Sequence, residues 1–165
     1  MHDAATAGGF SIGGMISDSE AMEAALAEAR SAAEAGEVPI GAVVVREGEI
    51  VARGQNRVLR DNDPTAHAEI VSLREAARIL GNYRLNGCTL FVTLEPCAMC
   101  AGAMIHARID RLVLAAADPK AGACGSVLSV LNHPQLNHKM SVEQGILAEE
   151  SGELLRSFFR ERRSG

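Results

Sequence analysis

From Ser17 onward the chain switches between two hydrophobic periods. Met22, Leu26, Ala29 and Ala33 recur at helical spacing, and Ser17-x-x-Glu20 ahead of them has the form of a capping box. Gly36 suits the C-terminal cap of that helix. Val38 to Val45 reads as a buried strand and Ile50 to Arg53 as a second, with Glu47-Gly48 as a tight hairpin turn. A polar stretch, Gln55 to Asp63, leads to Pro64-Thr65. Ile70, Leu73, Ala77 and Leu80 then mark a second helix, which Gly81-Asn82 ends. Cys88 to Leu94 predicts a third strand, Pro96 opens a helix to about Ala107, and Asp110 to Ala117 predicts a fourth strand. Beyond the loop Asp118 to Ser126, the pattern predicts a short helix near Val127 to Leu131 and an edge strand near Met140 to Glu143. The last helix, about Ala148 to Arg162, carries Leu154, Leu155 and Phe158 on one side. At about 100° per residue, Arg156, Arg160 and Arg163 fall opposite them, with Phe159 at the border.

The order αββαβαβ(β)α predicts an α/β fold with helices on both faces of one mixed sheet. Neither repeats nor a linker interrupt it, so residues 17–165 are expected to form a single domain. Residues 1–16, rich in Ala and Gly and without an apolar period, are expected to be a flexible N-terminal tail.

Apolar residues make up 47% and charged ones 22%, which fits a globular chain and excludes a disordered one. No apolar run approaches the roughly 20 residues of a membrane span, and no secretory signal is visible, so a cytoplasmic protein without a membrane partner is expected. The net charge of -5 argues against non-specific nucleic-acid binding. That average hides a basic end, where Arg156, Arg160, Arg162 and Arg163 face only Glu161. Phosphates could be held there, so the acidic total does not exclude an RNA substrate.

Four cysteines, Cys88, Cys97, Cys100 and Cys124, do not suggest a disulfide framework in such a chain. Cys97-x-x-Cys100 points to metal or redox chemistry instead. Residues at i and i+3 share a helix face, so both sulfurs can meet one ion, and Pro96 fits the first helical turn. A helix N-terminus favours thiolate over thiol.

His67, in Thr65-Ala-His-Ala-Glu69, is the best third ligand. Three ligands leave a fourth tetrahedral position for water, the mark of a catalytic zinc. His67 and Glu69 would point about 200° apart along a continuous helix, so they serve one site only at a helix end. Zinc with two thiolates and a neutral imidazole has a formal charge near zero and acidifies its water weakly. Glu69 then has a task as base and proton shuttle, and is no ligand.

A zinc ribbon needs a second Cys/His pair, and Cys88 and Cys124 are isolated. A thioredoxin-like pair leaves His67 and Glu69 unexplained. Together, His-x-Glu and Pro-Cys-x-x-Cys match the signature of zinc-dependent nucleobase deaminases. The other histidines read more plainly: His2 in the tail, His106 at a helix end, and His133 and His138 in a polar loop.

The sequence resembles the bacterial tRNA-specific adenosine deaminases of the cytidine deaminase-like superfamily. The resemblance runs from about Glu20 to Arg163, through Glu37-Val-Pro-Ile-Gly-Ala-Val-Val-Val45, Asp63-Pro-Thr-Ala-His-Ala-Glu-Ile70 and Asn82-Tyr-Arg-Leu85. It continues through the Thr93 to His106 segment, Asp118-Pro-Lys-Ala-Gly-Ala-Cys-Gly-Ser126 and Phe158-Phe-Arg160.

It implies a three-layer α/β/α sandwich with a central mixed five-stranded sheet, one Zn2+ per subunit, and a homodimer. The implied reaction converts the wobble adenosine of a tRNA anticodon to inosine. By position, His67, Cys97 and Cys100 match the zinc ligands and Glu69 the proton shuttle. Asn56 matches the residue that hydrogen-bonds the base, and the Ala68 N–H and Pro96 carbonyl lie where relatives also touch it. Asp118, Pro119 and Lys120 fall in a loop that lies against the flipped nucleotide in relatives. Asn137, Phe159, Arg160 and Arg163 match anticodon contacts of the stem-loop.

With one Tyr and four Phe, a broad stacking platform is implausible, and Phe159 and the arginines are the available candidates. Partial core burial is the bland alternative for Phe159. Ala115-Ala-Ala117 and Cys124 depart from the family pattern without touching the chemistry. Two rival functions remain: a deaminase of free guanine or cytosine, and a non-catalytic RNA-binding partner subunit.

Overall fold

The computed structural model describes residues 14–164. Its elements are α1 (Asp18–Glu34), β1 (Gly41–Arg46), β2 (Glu49–Gln55), α2 (Ala68–Leu80), β3 (Cys88–Leu94), α3 (Ala98–Ala107), β4 (Arg111–Ala116), β5 (Ser141–Gln144) and α4 (Ala148–Ser164). Most of the expected tail, with His2, lies outside the described residues. Its last residue, Ile16, already belongs to the packed structure, donating its N–H to the Gly48 carbonyl at 2.9 Å.

Local chemistry accounts for the element ends. At the start of α1, Ser17 Oγ accepts the Glu20 N–H at 3.1 Å and Glu20 Oε1 accepts the Ser17 N–H at 2.9 Å. Two orphan donors are thus satisfied reciprocally. At its end, Gly36 and Glu37 donate back to the Ala33 and Ala32 carbonyls at 3.0 and 2.9 Å, with Gly36 at φ 84°. This left-handed closure swings Glu37 into the interior, where it is 1% exposed. The β1–β2 turn has φ 52° at Glu47 and 79° at Gly48, the positive pair that a two-residue hairpin turn needs.

The strands form one sheet in the order β2-β1-β3-β4-β5. β1 pairs antiparallel with β2 and β3, whereas β3–β4 and β4–β5 are parallel, so the sheet is mixed. Alternating residues face opposite layers. Val43, Val45, Phe91, Val113 and Ala115 pack against α1 and the approach to α4. Ala42, Val44, Leu90, Val92, Leu112 and Leu114 pack against α2 and α3. With both faces covered, the central strands read as nearly unbroken apolar runs. The architecture is the expected three-layer α/β/α sandwich.

Two sequence expectations need correction. Pro96 does not begin α3: Cys97 is the N-cap, at φ -78° and ψ 178°, and Pro96 stands just outside. The Pro96 carbonyl accepts the Ala123 N–H at 2.8 Å. No helix forms at Val127 to Leu131 either. The Val127 and Leu128 N–H groups both reach back to the Gly122 carbonyl, and a bridge joins Cys124 to Ser129. Bonds spanning five to seven residues, with Val130 N–H donating to the Ala123 carbonyl, take the donors that i to i−4 helical bonds would use.

Candidate active site

Two helix N-termini converge beside the C-terminal end of β3, where open α/β sheets commonly place ligands. His67 is the N-cap of α2 and Cys97 the N-cap of α3, yet neither side chain caps its own helix. Ser, Thr, Asp or Asn would stabilise those ends better, so the residues present sacrifice local stability. Their side chains turn to one another instead. His67 Nδ1 lies 3.6 Å from Cys97 Sγ and 3.5 Å from Cys100 Sγ, and the three ligand atoms fall within 4.8 Å of one another.

Those separations fit a tetrahedral ion. Zinc with bonds of about 2.3 Å to sulfur and about 2.0 Å to nitrogen sets S and N about 3.5 Å apart. The electrostatics agree. Hydrogen bonds from Cys100 and His67 pull the Cys97 thiol down to about 3. The Cys97 thiolate and burial push the Cys100 thiol far up, and contact with Cys97 raises His67. A single negative charge is therefore stable without a cation, and the second is resisted. A divalent ion placed among the three relieves that resistance and lets both sulfurs ionise.

Glu69, in the first turn of α2, is 4% exposed and interacts with the Cys100 side chain. Burial pushes its carboxyl up to about 7. His67 in extended conformation just before the helix and Glu69 just inside it give the helix-end arrangement that lets both serve one site. Asn56, 7% exposed after β2, accepts the Ala68 N–H through Oδ1 at 2.8 Å. That bond occupies the Ala68 N–H and aims Asn56 Nδ2 the other way.

Two buried acids that sequence reasoning passed over organise the surroundings. Glu95, 4% exposed, accepts from the Asp118, Cys124 and Ser126 N–H groups and from Ser126 Oγ. Burial raises its carboxyl, but these bonds outweigh that and hold it below the usual carboxylate range. Glu37 accepts from the Leu59 and Arg60 N–H groups and from Arg60 Nε. Arg60 Nη2 in turn donates to the Asn56 carbonyl at 2.5 Å, steadying the residue from behind. An acid flanking a buried element is the only sequence signal either offered.

Asp118, Pro119 and Lys120 meet Arg156, Phe159, Arg160 and Arg163 of α4 across a groove of about 830 Å³. Phe159 is 43% exposed there, with its ring edge-on to Phe158 at 5.4 Å. It is thus partly covered, against Phe158, and partly open to the groove. Asn137 is exposed in the loop before β5 and does not line this groove. Acids temper the basic helix: Arg156 pairs with Glu149 and Glu153, and Arg160 with Glu153. Cys88 is buried and His138 Nε2 contacts the Ile109 carbonyl, which leaves both in structural settings.

A family profile described as MafB19-like deaminase matches residues 16–163. A tRNA-specific adenosine deaminase of Agrobacterium fabrum (strain C58 / ATCC 33970) is 53% identical over 142 residues, covering 86% of this chain and 93% of the relative. The chain belongs to the tRNA-specific adenosine deaminase family. This deaminase also superposes on a solved structure from a study of A-to-I editing by tRNA:A34 deaminases at the wobble position of transfer RNA. The TM-score there is 0.79, with 51% identity and coverage of 82% of this chain and 98% of the other. A guanine deaminase from Nitrosomonas europaea shares the fold at TM-score 0.73 but only 28% identity, covering 86% and 84%. In the deaminase described here, no helix among the described residues is long and apolar enough to cross a membrane.

Proposed function

We propose that this protein deaminates adenosine to inosine at the wobble position of a tRNA anticodon, using a zinc ion held by His67, Cys97 and Cys100. The observation that carries the reading is the buried Glu69 set beside the cluster of His67, Cys97 and Cys100, three residues that could hold one ion. When bound, zinc supplies a Lewis acid that makes water a nucleophile near neutral pH. Glu69 takes a proton from the attacking water and delivers it to the ring nitrogen beside the reacting carbon. It then takes the second proton from the hydroxyl now on that carbon and gives it to the departing amine, so the C=O forms as the C–N bond breaks and water and adenosine become inosine and ammonia.

Asn56 orients the base. Its Oδ1 is committed to Ala68, so Nδ2 is the group that donates to a ring acceptor. The Pro96 carbonyl keeps one lone pair for the base beside its bond from Ala123. An adenine reaches such a site only when flipped out of its stack. The groove between Asp118, Pro119, Lys120 and the Phe159, Arg160 and Arg163 side of α4 suits the flanking nucleotides, with Asn137 at a more distant part of the stem-loop.

The specific observation against free guanine or cytosine is the basic, aromatic groove, which a small-molecule enzyme has no use for. A non-catalytic partner subunit has no use for Glu69. A cytoplasmic location follows from a tRNA substrate. A homodimer is supported by α3, apolar on nearly every side, with Ala98 and Met99 exposed and open space beside Gly102. Such a helix wants cover on both faces.

The test is inosine formation in an anticodon stem-loop bearing a wobble adenosine, run beside free guanine, cytosine and adenosine. Efficient turnover of a free base with an untouched stem-loop overturns the substrate assignment. Gly102→Arg should convert a dimer to a monomer by light scattering.

A further inference from the structure

We propose that Glu95 is a positioning residue that locks the 118–126 loop, and with it one wall of the substrate groove, to the turn bearing Cys97. The proposal rests on the reading of that groove as the RNA site.

Ala123 is buried in the core and Cys124 packs partly against it, so apolar packing anchors the middle of the loop. Asp118 is half-buried and Pro119, Lys120, Ala121, Gly125 and Ser126 are exposed, so polar bonds must place the two ends. A carboxylate offers about four lone-pair directions. At Glu95, Oε1 takes the Asp118 N–H at 3.0 Å and the Ser126 hydroxyl at 2.5 Å, and Oε2 takes the Cys124 and Ser126 N–H groups at 2.9 and 3.1 Å. The next residue adds one more tie, the Pro96 carbonyl accepting from Ala123 at 2.8 Å. Two consecutive residues thus gather both ends and the middle of the loop. Asp118 opens the loop and carries Pro119 and Lys120 into the groove wall.

The loop sequence is shaped to the carboxylate. A Cβ added at Gly122 would stand 2.3 Å from Glu95 Cδ and 2.5 Å from each oxygen. No side chain fits there without expelling the carboxylate or the loop. Glutamine cannot replace the acid in full, because in either orientation its amide N–H groups would face at least one backbone N–H, the Ser126 hydroxyl being the only partner able to accept. Cys97 itself stands between β3 and α3, and of the loop only Ala123 and part of Cys124 join the core cluster that those two elements share with α2 and β4. The cost of losing Glu95 should therefore appear in substrate binding, with the metal retained.

The experiment compares zinc-loaded wild type with Glu95→Gln, Gly122→Ala and the milder Ser126→Ala. Three quantities are read: zinc content, hydrogen exchange of peptides covering 118–126, and KM and kcat on an anticodon stem-loop. For Glu95→Gln and Gly122→Ala we expect one zinc per chain, exchange in the loop faster by about 10-fold or more, and unchanged exchange in β3 and β4. KM should rise about 10-fold or more with kcat within about 3-fold, and Ser126→Ala should show about 2- to 5-fold changes in the same direction, as expected for loss of one charge-assisted bond among four. If Glu95→Gln does not fold, Ser126→Ala carries the comparison. Unchanged loop exchange, unchanged KM in a loosened loop, or loss of zinc overturns the proposal. If the wild-type enzyme leaves the stem-loop untouched, the RNA reading fails, and loop exchange still decides whether Glu95 holds the segment.

Discussion

Asn56 Oδ1 accepts the Ala68 N–H at 2.8 Å, tying the chain just after β2 to the first residue of α2. The bond lies next to His67 and Glu69, so one amide braces the helix N-terminus and, in the proposed reading, would also present a donor to the substrate.

The two duties of Asn56 can be separated. Asn56→Ala should lower stability by about 1–3 kcal/mol, because a buried N–H loses its acceptor, and should abolish turnover as well. Asn56→Asp keeps an oxygen for Ala68 but replaces the Nδ2 donor. It should retain more stability than the alanine variant while losing about 100-fold or more in kcat/KM. Denaturant melts and stem-loop deamination assays measure the two effects; near wild-type activity in Asn56→Asp would remove Nδ2 from base recognition.

Glu69→Gln should bind zinc as the wild type does and lose about 10²- to 10⁴-fold in kcat, the range for a general acid–base group. Cys97→Ala should instead lose the metal. Elemental analysis and single-turnover kinetics distinguish these outcomes, and retained turnover in Glu69→Gln would strip Glu69 of the shuttle role. Chelation should abolish activity, and added zinc should restore it.

Glu37 makes a pH prediction. Burial raises its carboxyl, but the bonds from Arg60 and Leu59 outweigh burial and hold it below its ordinary value. A depressed folded pKa adds stability that is fully present above the unfolded value of about 4.5 and disappears as pH falls through the folded value. Glu37→Gln should therefore be less stable than wild type by about 1–3 kcal/mol near pH 7. The gap should close as pH drops below about 4.5. Paired thermal melts from pH 7 to 3 test this, and a gap constant with pH contradicts it.

The arginines of α4 should divide by role. Arg162 Nη2 donates to the Gly36 carbonyl at 2.6 Å and its guanidinium lies 4.5 Å from the Phe158 ring centroid, so it clamps α4 to the end of α1. Arg163 lines the groove. Arg163→Ala should reduce the salt dependence of stem-loop binding by about one phosphate contact. Arg162→Ala should weaken helix docking while the slope stays near wild type. Binding titrations between 50 and 200 mM salt, chosen where phosphate contacts dominate, would expose an exchange of these roles.

Local features were legible because they depend on neighbours in the chain. The capping box at Ser17, the Glu47-Gly48 turn and the bounds of β3 all belong to this class. The reaction class was legible too, since the paired His-x-Glu and Pro-Cys-x-x-Cys segments carry it and the family bears it out. What reads as a helix at Val127 to Leu131 fails because its backbone donors find the Gly122 carbonyl.

Only the tertiary structure decided that His67 and Cys97, 30 positions apart, should meet as the caps of two helices. It also decided the gathering of the 118–126 loop on Glu95, and the close approach at Gly54. A Cβ there would stand 2.6 Å from the Ala68 carbonyl oxygen, so this glycine lets α2 settle against β2 with its N-terminus at the site. Periodicity and capping follow from the chain's own geometry over a few residues. Convergence of distant segments follows from which apolar faces bury together, and that is settled by the sheet order rather than by any local spacing.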